Sequence, residues 1–243
     1  MKTLRAFTCV LAFGLLAATA NAGSLTVLNP SFEIPPAGGF PFTAGCDSVP
    51  GCMYSEAAGS IPGWVNGPIS GQWQPGNTPN PFFFLSLPDG PTVGYTNGPS
   101  ITQTISAAAV AGETYTLTVD VGYRQDLISL PFVQLMVGAN STLATPATTP
   151  VEQSGDWYLY TAVYKATAAD AGHPITIVLG LNPGISNGQA DFDAVGLSGS
   201  VPEPTTWAML ILVGLGLAGF TLLRRSTNSV PSAALRVQPK TAS

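Results

Sequence analysis

Short runs of alternating apolar and polar residues recur through the middle of the chain, separated by clusters of Gly, Pro, Asn and Ser. The clearest is Thr114–Tyr123, with Tyr115, Leu117, Val119, Val121 and Tyr123 on one face and Thr114, Thr116, Thr118 and Asp120 on the other. A period of two with one apolar face marks a half-buried antiparallel strand. The same pattern predicts strands at Ser24–Asn29, Phe82–Leu87, Thr92–Tyr95, Ser100–Ser106, Phe132–Val137, Asp156–Ala166, Ile175–Leu181 and Ala190–Ser198. With almost no 3.6-residue period between them, these elements predict an all-β jelly-roll sandwich over residues 23–200.

Two longer apolar runs bracket this region and follow different rules. At the front, Lys2 and Arg5 precede an apolar stretch from Ala6 to Leu16, and Ala20-Asn21-Ala22 forms a small-residue cleavage site. This is the grammar of a secretory signal peptide over residues 1–22. At the rear, residues 201–225 hold Val201, Pro202, Glu203 and Pro204, then an uncharged run from Trp207 to Leu223, then Arg224 and Arg225. Seventeen helical residues at about 1.5 Å each span roughly 25 Å, enough for a short transmembrane helix. Arginines directly behind it predict a cytoplasmic side for the polar tail, residues 226–243, and an outward side for everything before Val201. An ordinary uncut anchor would show the same span. The three parts in this order resemble the PEP-CTERM sorting signal of Gram-negative bacteria, although family members usually stop soon after the basic cluster. The resemblance implies an exosortase as processing partner and an inner-membrane-anchored precursor released to the cell surface or extracellular matrix.

Charge narrows the partners. Between residues 23 and 200 only Arg124 and Lys165 are basic, against twelve acidic residues, a balance of −10. Such a domain repels phosphate backbones, so no nucleic-acid partner is expected, while hard cations such as Ca²⁺ suit its oxygen ligands. Cys9 leaves with the signal peptide, and Cys46 and Cys52 remain in an exported chain, where a disulfide is the default and a redox or metal role the alternative.

Several short stretches carry a second resemblance: LNPSFE (Leu28–Glu33), IPGW (Ile61–Trp64), SITQTI (Ser100–Ile105), AGETYTLTVDV (Ala111–Val121) and DFDAVGL (Asp191–Leu197). In this order they resemble the galactose-binding-like sandwich of carbohydrate-binding modules and of PEP-CTERM cargo. That resemblance implies a structural calcium ion held by Glu33 and Asp193, with Asp191 as a third candidate. Strict alternation along the last strand would set both aspartates on the face of Val195 and Leu197, pointing at the core. The loops Ile34–Ile61 and Val65–Pro81 hold aromatic residues among amides, a composition suited to sugar rings. Tyr54, Trp64 and Trp73 are the candidate ligand contacts, with core packing the competing role for Trp64 and loop anchoring for Trp73.

Catalytic motifs are sparse. The chain has one histidine, His173, and no nucleophile elbow, P-loop, dinucleotide fingerprint or His/Cys zinc set. The expectation is therefore a non-enzymatic exported protein that binds polysaccharide. The alternatives are a structural or adhesive matrix component without a small ligand and a secreted hydrolase acting on polysaccharide.

Overall fold

A computed structural model describes residues 22–46, 49–79, 82–98, 100–182 and 188–200. The signal peptide, the sorting segment with its anchor residues, and the tail lie outside these. The described chain is all-β. In order the strands are β1 (Ala22–Leu25), β2 (Cys52–Tyr54), β3 (Ser70–Pro75), β4 (Val93–Thr96), β5 (Ile101–Ala108), β6 (Thr114–Gly122), β7 (Pro131–Val137), β8 (Asn140–Leu143), β9 (Thr145–Pro146), β10 (Trp157–Lys165), β11 (Pro174–Leu181) and β12 (Ala190–Ser200).

The larger sheet has the order β2-β3-β4-β12-β6-β10-β9, with β1 also paired to β12, and the smaller is β5-β11-β7-β8. All pairings are antiparallel. The core lies between the sheets. Tyr115, Leu117, Val119 and Val121 of β6 meet Ile175, Ile177 and Leu179 of β11 and Val133, Leu135 and Val137 of β7, all buried. This is the face that alternation in the sequence assigned to the interior. Trp64 joins the same core, its ring stacked on Phe32 at 5.5 Å and its indole N–H donating to the Asn29 carbonyl at 3.2 Å.

Two predicted elements differ. Phe82–Leu87 is not a strand; Phe83 and Phe84 are buried in an irregular segment on the outer face of the larger sheet. Three consecutive phenylalanines cannot serve a one-sided strand, because every second ring would meet water. Conversely, the stretch expected as the loop Val65–Pro81 contains β3, whose polar side chains are almost wholly buried. Hydrogen bonds replace water for most of their polar groups: the Gln72 amide nitrogen donates to the carbonyls of Phe32 and Ile34 and its backbone N–H donates to Ser55 Oγ, while its Oε1 is left without a partner among the described residues.

Polar anchoring also shapes the turn before β11. The Asp170 carboxylate accepts from the Thr167 backbone N–H and hydroxyl, both at 2.7 Å, and from Tyr164 and Asn140 at 2.8 Å each. These bonds, led by the Thr167 backbone, hold it well below the ordinary carboxylate range. A depressed folded-state pKa stabilises above the unfolded value of about 4 and is lost as pH falls further. Asp170→Asn is therefore expected to lower the melting temperature at pH 7, with the gap to the parent narrowing between about pH 4 and 2. A gap independent of pH in thermal melts would contradict this.

Candidate functional site

A second apolar cluster covers the outer face of the larger sheet. It contains Trp73, Val93, Tyr95, Phe83, Phe84 and the Cys46–Cys52 pair. The two cysteines are disulfide-bonded, with Cα atoms 5.6 Å apart. Gly122 of β6 makes room for this layer, since a Cβ there would lie 2.8 Å from the Phe84 ring and 3.0 Å from Trp157. Trp73 packs edge-on against Phe83 at 5.1 Å, and the Arg124 guanidinium lies over both rings at 4.9 and 4.6 Å.

Beside this cluster is a solvent-open cavity of about 260 Å³, at the small end of ligand cavities. Tyr54, Trp73 and Tyr95 supply aromatic walls, the disulfide and residues 44–45 another side, and Glu56, Arg124, Asp126 and Gln189 the polar groups. Tyr95 donates to Glu56 at 3.2 Å and meets Tyr54 edge-on at 6.2 Å. Burial first, then the Glu56 charge, pushes the Tyr95 hydroxyl far above its ordinary range, so it remains a donor. Arg124 is bidentate to Asp126 and donates to Gln189 at 3.0 Å.

Behind the wall formed by Trp73 and Gln189 sits Asp191, fully buried. Its Oδ1 accepts from the Trp73 indole at 2.9 Å and from the Gln189 amide at 2.7 Å. Its Oδ2 has no partner. Burial pushes this carboxyl up to about 6, against the opposing pull of Arg124 and the two donors. A buried carboxyl with a free oxygen and a pKa near neutrality is equipped to hold and release a proton.

The three acidic candidates therefore divide. A bulge between Asp193 and Gly196, with Ala194 at φ +48°, interrupts the alternation of β12. Phe192, Val195 and Leu197 consequently share the core, and Asp191 and Asp193 point away from it, which corrects the face predicted for the aspartates. Asp193 accepts from the N–H groups of Asp89 at 3.2 Å and Ala194 at 2.7 Å, and Glu33 from Thr92 at 2.8 Å. Burial raises both, Asp193 to about 8, with repulsion from Asp89 adding to each. This oxygen-only set without a cationic partner fits a hard cation. Among the described residues no group of three His, Cys, Asp or Glu side chains is placed to hold a metal, so backbone carbonyls would have to complete the shell.

Of the aromatic candidates, Tyr54 and Trp73 meet at the cavity and Trp64 does not. Tyr95, Glu56, Arg124 and Gln189 were not anticipated. Arg124 carried a signal in the sequence, being one of two basic residues in an acidic domain. The other three sit in no recognisable pattern.

The sequence profile of the family described as HpiC1 cyclase matches residues 23–198. The chain belongs to this HpiC1-like cyclase family. A structure of the Stig cyclase FisC from Fischerella sp. TAU, in complex with (3Z)-3-(1-methyl-2-pyrrolidinylidene)-3H-indole, is 23% identical and covers 75% of this chain and 100% of its own, with a TM-score of 0.57. A cyclase from Fischerella sp. TAU in complex with 4-(1H-indol-3-yl)butan-2-one is 21% identical over 74% and 99% of the two chains, with a TM-score of 0.55. The likeness to carbohydrate-binding modules is weaker: a CBM4 structure reaches a TM-score of 0.37 at 18% identity over 72% and 99%, too low to argue from. Comparison with curated proteins gave no match.

Membership in an HpiC1-like cyclase family overturns the expectation of a non-enzymatic protein. That expectation rested on missing triads, zinc sets and nucleotide loops, chemistry that announces itself by residue spacing. Chemistry carried by a shaped cavity and a lone acidic side chain leaves no such motif. The PEP-CTERM protein-sorting motif matches residues 200–226. It makes this HpiC1-like chain an exported protein with a membrane-anchored precursor and implies processing by an exosortase.

Proposed function

We propose that the exported domain is an acid-assisted cyclase for a small aromatic molecule, held between Tyr54, Trp73 and Tyr95, with Asp191 as proton donor. The observation that carries this reading is the unpartnered Asp191 oxygen buried directly behind two cavity-lining side chains. Gln189, unbranched and flexible, is the part of that wall able to swing aside. Asp191 would lend a proton to an electron-rich carbon of the substrate, a carbon–carbon bond would close the ring, and the resulting cation would return a proton to the carboxylate. Atoms are conserved and nothing is oxidised or reduced.

The test is calorimetric binding of 4-(1H-indol-3-yl)butan-2-one to the full chain in detergent, beside xylohexaose. Saturable binding of the indole, lost on Trp73→Ala, is expected. Binding of the oligosaccharide alone would return the polysaccharide reading, in which Tyr54 offers the accessible aromatic face. Binding of neither would leave a structural matrix role at the cell surface.

Calcium belongs to this proposal as a structural ion: Glu33 and Asp193, completed by backbone carbonyls, would hold it and so tie the 29–34 turn to β12. Chelation by EDTA should then lower the melting temperature, and Asp193→Asn should remove that sensitivity. An unchanged melt in chelator ends the calcium proposal.

A further inference from the structure

We infer that the Cys46–Cys52 disulfide is itself a wall of the ligand cavity, so that ligand binding and reduction of this bond oppose one another. The inference rests on the reading of the cavity as a ligand site.

The cavity is built from unequal parts. Trp73 and Tyr95 stand on β3 and β4, inside the larger sheet, and Arg124 and Gln189 adjoin β6 and β12, its two best-paired strands. The side containing Ala44, Gly45, Cys46, Cys52 and Tyr54 belongs to a segment at the sheet's margin. Its strand, β2, is three residues long and pairs only with β3. Further fastening comes from reciprocal backbone bonds between Phe42 and Tyr54, at 3.1 and 2.9 Å, and from a turn in which Val49 and Cys52 donate to the Cys46 and Val49 carbonyls. Among the described residues no further strand runs along the outer side of β2, and the disulfide is the segment's one covalent closure.

Two consequences follow. Cutting the bond releases this wall while leaving the floor intact, so affinity falls. Because both cysteines line a cavity open to solvent and are otherwise buried, a ligand in the cavity covers the side from which an external thiol would approach, and occupancy opposes reduction. Equilibrium linkage adds that bound ligand must make the bond harder to reduce by the same factor by which reduction weakens binding. With a dithiol as reductant the step balances: its thiolate attacks one sulfur, the second thiol resolves the mixed disulfide, and two protein thiols and one cyclic oxidised dithiol result. Since disulfides form on the exported side of the membrane, the cavity would acquire its full affinity only after export.

The experiment uses the full chain in detergent, oxidised or reduced with dithiothreitol and checked by thiol titration. Calorimetry with 4-(1H-indol-3-yl)butan-2-one should show at least about tenfold weaker binding after reduction, recovered on reoxidation. The Cys46→Ser/Cys52→Ser variant should bind as weakly and ignore the reductant. Hydrogen exchange should show lost protection at Phe42, Cys52 and Tyr54 and unchanged protection across Thr114–Gly122. Equal affinity in both states, unchanged protection at Tyr54, or loss of protection throughout β6 would each overturn the inference, the last by making the bond a general staple. If the oxidised chain does not bind the indole, the cyclase reading loses its support, and the exchange pattern alone decides whether the disulfide holds the wall.

Discussion

Asp191→Asn should reduce turnover by roughly 10²- to 10⁴-fold, the range typical of removing a positioned general acid. The substitution keeps the shape of the side chain and an oxygen able to accept from Trp73 and Gln189, so the wall of the cavity should survive. What disappears is the transferable proton. Binding of the indole probe should change by no more than a few-fold, and the melting temperature should stay close to the parent's, because a buried carboxyl with an unsatisfied oxygen is itself no source of stability. Ring closure leaves mass unchanged, so the assay is chromatographic: a panel of indole-bearing candidates is incubated with the chain, and isobaric products with altered retention are sought. Full activity in a folded Asp191→Asn variant would remove Asp191 from the mechanism.

Phe32→Ala carries the largest expected loss of stability. Phe32 is fully buried, stacks on Trp64, and lies where a Cβ on Gly94 would come within 2.5 Å of its ring. Large-to-small changes of this kind cost about 3–5 kcal/mol. For a domain of this size that corresponds to a fall on the order of 10 °C in melting temperature. The exposed neighbour Leu28 is the control, and Leu28→Ala should move the melt little. A second variant tests the packing directly. Gly94→Ala alone should destabilise by crowding the ring, yet in the Phe32→Ala background the added methyl enters the vacated space. The two changes should therefore be non-additive by about 1 kcal/mol or more. Simple additivity would mean that the ring and the glycine are not in contact.

The parts of this protein that could be read in its sequence are those where one chemical demand dominates. Strand β6 needs one apolar and one polar face, and Thr114–Tyr123 displays both. The sorting segment needs a motif, an apolar run and a basic end in fixed order, and Val201–Arg225 supplies them. The candidate site is legible only in pieces because its residues answer to partners far along the chain. Trp73 looked like a loop aromatic among polar neighbours, but its indole is committed to Asp191, 118 positions away. The aspartates of β12 were visible as a pair; that both point away from the core which Val195 and Leu197 enter depends on a single bulge at Ala194, whose backbone angle nothing in DFDAVGL announces. Glu56 and Gln189 acquire meaning only beside Tyr95 and Arg124.

The position of β12 bears on how the chain is delivered. It lies at the middle of the larger sheet, joined to β4 on one side and β6 on the other, with β1 along its far end. It is also the last strand to be synthesised among the described residues. During secretion the two halves of that sheet have no strand to join them until about residue 200 has crossed the membrane. The larger sheet is thus completed only when the sorting motif is next in line.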